Sequence, residues 1–153
     1  MDTNKIIRSQ YLAALEMLKQ VIVKCPAALW NAPGDKDKVW RKAYHTLFYA
    51  HLYLQTTEKD FTPWEKHHDL DTGEPFTQAE VLEYLAFVQK QVIAQVQALN
   101  LEAESGFHWL PFGKLELQLY NIRHIQQHAG ELYERLGTRE NIELDWVSTQ
   151  PNQ

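Results

Sequence analysis

The sequence predicts an all-α fold, specifically a four-helix bundle, on three observations. Apolar residues recur at spacings of three and four through four separate stretches of the 153-residue chain. Glycine and proline are sparse, six of each, so those stretches can run as long helices. A connection of about twenty residues, 57–76, separates the second stretch from the third. That is more than adjacent antiparallel helices need, and it predicts a crossover between them.

The first helical segment spans residues 4–24, with Tyr11, Leu15, Leu18 and Ile22 on one face, and Pro26 ends it. Asp35, after Gly34, reads as the N-cap of the second segment, which runs to about residue 56. Its buried face is rich in aromatics: Trp40, Ala43, Tyr44, Leu47, Phe48, His51 and Leu54. The third segment opens on Thr77-Gln-Ala-Glu80, a capping box in which each side chain satisfies the other residue's backbone N–H. Leu82, Leu85, Gln89, Val92, Val96 and Leu99 continue the rhythm, and Asn100 reads as the stop. The fourth segment covers 114–136, with Gly137 as its C-terminal cap. One domain is expected over 1–153, its core 4–137. The tail, 138–153, carries Ile142 and Trp146 and has two places to pack, the bundle or a partner subunit.

Composition excludes several function classes. A hydrophobic fraction of 44% with five Trp, seven Tyr and six Phe describes a packed globule. Net charge is −5, and no stretch forms the basic block that neutralises phosphates, so neither nucleic acid nor a membrane surface is an expected partner. No run of about 18 apolar residues forms a transmembrane helix, and the N-terminus lacks a signal-peptide core. The single cysteine, Cys25, reads as a small structural residue, and its isolation favours a reducing, cytoplasmic location.

The residues that could carry chemistry are histidines. His124 and His128 lie four apart, so both imidazoles project from one helical face towards a single point. Such a pair arises readily by chance, but its stripe continues through Asn121, Glu131 and Arg135, polar where a core stripe is apolar. The stripe either faces water or builds a site inside the bundle. A metal needs a third ligand, and the second segment offers His45 or His51; six residues apart, they point about 120° from one another and cannot both serve. His67 and His68 read as exposed loop residues or as guards of a site entrance, and His108 belongs to an apolar loop covering a bundle end. Bridged di-iron chemistry is disfavoured, because the one Glu-x-x-His spacing, Glu65 to His68, falls in a loop. HExxH, CxxC and glycine-rich phosphate loops are absent.

AYHTLFYAHLYL around His45 and LYNIRHIQQHAGEL around His124 and His128 resemble the two signature regions of the DinB/YfiT-like family. FTQAEVLEYL at the start of segment three and the aromatic loop before segment four are similar too. The resemblance covers roughly 40–136; segment one matches only as a helix of suitable length. It implies an up-down-down-up bundle and a metal held by His45, His124 and His128, so it selects His45 over His51. Some relatives have a further histidine beside the second ligand of the last helix, where this chain has Gln127. Three imidazoles with open water positions form a catalytic rather than a structural site, with zinc or nickel as the expected ion. Glu131, about one turn beyond His128, is the expected orienter or base, and Tyr44, Asn121 and Tyr120 are weaker supporting candidates. The expected function is a divalent-metal-dependent enzyme, a hydrolase or a thiol transferase acting on a small molecule, working as a homodimer by family analogy. The competing expectation is a non-catalytic metal- or ligand-binding bundle.

Overall fold

The three-four spacing of Tyr11, Leu15, Leu18 and Ile22 places all four inside the first helix, α1 (Thr3–Lys24), in a computed structural model that describes residues 1–150. The Asp2 carboxylate accepts from the Lys5 amide at 3.0 Å and caps its start. At the other end Cys25 turns to extended backbone, the conformation favoured before proline. One helical turn follows, α2 (Ala27–Trp30), which buries Leu29 and Trp30.

The next helix, α3 (Val39–Tyr53), begins later than expected. Asp35 does not cap it; the Asp35 carboxylate accepts from Arg139 at 2.5 Å, and Arg135 lies 3.9 Å away. Two distant guanidiniums offer that carboxylate more than one local amide does. The third long helix, α4 (Gln78–Val96), starts on the expected capping box: the Glu80 amide donates to Thr77 Oγ1 at 3.1 Å and the Thr77 amide to Glu80 Oε2 at 2.8 Å. It ends at Val96, four residues short of Asn100, and its buried stripe is Val81, Tyr84, Leu85, Val88, Val92 and Val96. The last helix, α5 (Lys114–Glu140), runs straight through Gly137. Asn141 provides the left-handed residue instead, with φ 54°, and its amide and that of Ile142 close on the carbonyls of Gly137 and Leu136.

The four long helices pack as a bundle, and the described residues contain no strand. α1 and α3 each pack against both α4 and α5 and barely meet one another. Asn4 on α1 donates to the carbonyls of Val96 and Leu99 beyond α4, while Gln78 at the start of α4 donates to those of Ile22 and Cys25. Trp64 and Phe76 from the long connection are buried in the same core, and Trp30 Nε1 donates to the Phe76 carbonyl at 2.9 Å. The tail lies on the bundle: Ile142, Leu144 and Val147 pack on the core, and Tyr133 Oη and Gln20 Nε2 both donate to the Asp145 carbonyl. Trp146 points outward, 71% exposed. No helix is long and apolar enough to cross a membrane among the described residues.

A buried cation closes the end of the bundle nearest the start of α5. Lys114 is only 2% exposed, and its Nζ donates to the carbonyls of Gln55 at 3.3 Å, Thr56 at 2.7 Å and Ser105. Burial pulls its pKa below the ordinary lysine value, but the three carbonyls leave the ammonium hydrogen-bonded where water cannot reach.

Candidate metal centre

α5 turns its polar stripe towards α3, not towards water. Leu117 and Asn121 are fully buried, and Asn121 Nδ2 donates to the Ala50 carbonyl at 3.2 Å, fixing the two helices side by side. One and two turns further on, His124 and His128 meet His45 from α3, all three half-buried. His124 Nε2 lies 3.3 Å from His45 Nε2 and 3.0 Å from His128 Nε2.

Protons alone cannot satisfy this trio. A ring nitrogen has a single in-plane site, holding either a proton or a lone pair, so His124 Nε2 bonds to one neighbour and leaves the other facing it unbonded. A cation between them uses all three lone pairs at once. Two ligands of one ion, each about 2.0–2.1 Å from it, sit roughly 3 Å apart, as these nitrogens do. Imidazoles must be neutral to ligate, and here the surroundings favour that form. Burial, then the neighbouring His128 and His45, push His124 down to about 4. Burial and His128 lower His45 as well. The three histidines therefore form a group that can hold a metal ion.

The opposite edge of His128 is engaged. Its Nδ1 lies 3.0 Å from Glu131 Oε1, and Glu131 Oε2 accepts from Lys42 Nζ. Lys42 also pairs with Asp37 Oδ2 at 3.1 Å. Burial works against the Glu131 charge, but the hydrogen bonds and charges of Lys42 and His128 together outweigh it and hold the carboxyl below its usual range. The chain thus links two residues of α3's approach and first turn to the far side of a histidine on α5.

The other sequence candidates fall elsewhere. His51 is buried with Nδ1 3.0 Å from the Tyr84 hydroxyl and its ring against Phe61 and Phe87, so it belongs to the core. His68 stacks on Phe76 at 4.0 Å, and His108, 77% exposed, pairs with Glu58. Tyr120 packs edge-on against Tyr53 at 5.8 Å. Cys25 is buried, which pushes its thiol up to about 11 and makes it a poor nucleophile. Tyr44 does not reach the histidine trio; its hydroxyl lies 2.7 Å from His67 Nδ1. His67, read from sequence as a loop residue or entrance guard, shares with His45 the lining of a cleft of about 270 Å³, beside Arg41, Phe48, Tyr49 and Asp71.

With this geometry in place, the chain matches the family model of the DinB superfamily over residues 10–132, well over half its length. The chain belongs to the DinB superfamily. No curated protein and no solved structure matches it. The DinB match takes in His45, His124, His128 and Glu131, and it reaches back through most of α1, beyond the two signature regions.

Proposed function

We propose that this DinB-superfamily protein is a divalent-metal-dependent enzyme, a hydrolase or a small-molecule thiol transferase, with His45, His124 and His128 as ligands. The observation that carries the reading is the approach of the three Nε2 atoms from two helices, a grouping that hydrogen bonding does not satisfy. Zinc or nickel suits an all-imidazole donor set. Such an ion supplies Lewis acidity, lowering the pKa of water or a thiol and polarising a carbonyl.

The chain's own residues hold and shape the site. Glu131 is a positioning residue: by accepting from His128 Nδ1 it leaves Nε2 free to ligate, and Lys42 with Asp37 keeps the carboxylate in place. The cleft beside His45 admits a small molecule. We read the bundle as up-down-down-up; the contact of α1's start with α4's end, and of α3's Lys42 and Ala50 with α5's Glu131 and Asn121, supports this. A cytoplasmic, homodimeric protein completes the proposal. A second reading, a non-catalytic metal- or ligand-binding bundle, draws support from Glu131, which is already engaged by Lys42 and His128 and so poorly placed to act as a base.

Elemental analysis of the purified protein beside His45→Ala and His124→Ala tests the site. About one ion per chain, lost in both variants, is expected; no ion in the wild type after reconstitution refutes it. Turnover of esters, amides or electrophile–thiol pairs that stops with chelator and returns with metal distinguishes catalysis from binding.

A further inference from the structure

One imidazole in the cleft is not among the three ligands. His67 reaches it from the long connection, its amide bonded to the Trp64 carbonyl at 2.8 Å and its ring against Phe48, with centroids 5.2 Å apart. Its Nδ1 is committed: Tyr44 is wholly buried, and among the described residues its hydroxyl has one hydrogen-bond partner, His67 Nδ1 at 2.7 Å. A phenol keeps its proton at neutral pH, and a buried O–H must donate somewhere. Tyr44 therefore donates to Nδ1, and the proton of the neutral imidazole sits on Nε2.

Of the other polar residues of the cleft, Arg41, Asp69 and Asp71 are occupied, which leaves the Tyr49 hydroxyl and the His67 imidazole. Arg41 donates to Asp71 Oδ1 at 2.5 Å and to the Leu70 carbonyl at 3.0 Å. Asp69 Oδ1 accepts from the amides of Asp71 and Thr72. Among the described residues His67 Nε2–H has no such partner. His45 and His67 line the same cleft of about 270 Å³, so a small molecule that fills it beside the centre meets both.

We propose that His67 is the substrate-contacting donor of this cleft, its Nε2–H, fixed by Tyr44, donating to a carbonyl or oxyanion oxygen of a small molecule held at the three-histidine centre. This rests on the metal-site reading above. It narrows the substrate class to compounds with an oxygen acceptor beside the metal-binding atom, such as esters, amides and hydroxamates.

The test uses zinc-loaded full-length protein and acetohydroxamate as probe. Zinc content is measured first, then hydroxamate affinity, and finally the His67 tautomer by ¹⁵N NMR. His67→Phe, which keeps an aromatic ring, is expected to bind zinc normally but hydroxamate roughly 3- to 10-fold more weakly. His67→Gln, whose amide can donate from the Nε2 position, is expected to restore affinity to within about twofold. The wild-type spectrum is expected to show the Nε2–H tautomer, and Tyr44→Phe to lose that single state. Absence of zinc from the wild type overturns the centre and this proposal together. Normal zinc content with unchanged hydroxamate affinity in His67→Phe, or an Nδ1–H tautomer in the wild type, overturns the donor alone. Should His67→Phe misfold, His67→Ala, expected to show the same loss of hydroxamate affinity, and the wild-type tautomer decide it.

Discussion

Removing the Glu131 carboxylate isolates what holds His128 in place. In Glu131→Leu the His128 Nδ1–H loses the acceptor that lies 3.0 Å away, and Lys42 keeps only Asp37 at 3.1 Å. Loss of an outer partner of a metal-ligating histidine typically weakens metal affinity by about 10- to 100-fold, or about 1.4–2.7 kcal/mol. Leu removes the acceptor altogether and belongs at the upper end of that range. Glu131→Gln keeps an acceptor oxygen without its charge and belongs near tenfold, since a charge-assisted hydrogen bond is about twice as strong as a neutral one. Fold stability should change less, by about 1 kcal/mol, because the Glu131 side chain is more than a third exposed and solvent screens its pair with Lys42. Lys42→Met leaves Glu131 facing His128, so its zinc affinity should stay within about threefold of wild type. Competition against a chromophoric chelator gives the affinities, and urea unfolding of the metal-free protein gives the stabilities. Wild-type zinc affinity in a folded Glu131→Leu would refute the positioning role.

Further measurements address the frame around the site. Lys114→Met strands the carbonyls of Gln55, Thr56 and Ser105 in the interior and should cost about 2–4 kcal/mol by urea unfolding; a loss under about 1 kcal/mol would show that water replaces the ammonium. His51 is held neutral by burial, its pKa down to about 4. A base with a depressed pKa binds fewer protons folded than unfolded, so its stability is fully present above about pH 6.5 and erodes as pH falls towards 4, by up to about 3 kcal/mol. Acid titration of His51→Leu should therefore be flatter than wild type across that window, and an identical slope would refute the assignment. Asn141→Ala forces a β-carbon that lacks asparagine's polar compensation into a left-handed position and should cost about 1 kcal/mol, whereas Asn141→Gly should be near neutral; thermal melts compare them.

The sequence carried the helices because their determinants are local. A three-four apolar rhythm needs only a helix of period 3.6 to become a buried stripe, so Tyr11, Leu15, Leu18 and Ile22 were legible without knowing their neighbours. The Thr77–Glu80 box was legible for the same reason, since both of its hydrogen bonds close within four residues. The pairing of His124 with His128 is likewise a property of one helix.

What failed or stayed open depended on distant partners. Asp35 reads as a cap until Arg139, 104 residues away, takes its carboxylate. Gly137 reads as a stop, yet nothing forces a glycine to end a helix, and α5 continues until Asn141 turns left-handed and the tail docks on α1 and α5. His45 and His51 were equivalent by spacing on their own helix, and only the family resemblance separated them. The bundle supplies the physical reason: α5 packs on the face carrying His45, while Tyr84 of α4 and Phe61 enclose His51. His67 and Lys114 gave no periodic signal, because a loop histidine and a lysine at a helix start look solvated until the chain folds over them. The sequence by itself determined the helices, their buried faces and the paired histidines, which are set by covalent geometry and hydrogen bonds spanning a few residues. Only the tertiary structure decided which charges are buried, which imidazoles meet and which one is left facing the cleft, because those depend on contacts across the bundle that no local pattern encodes.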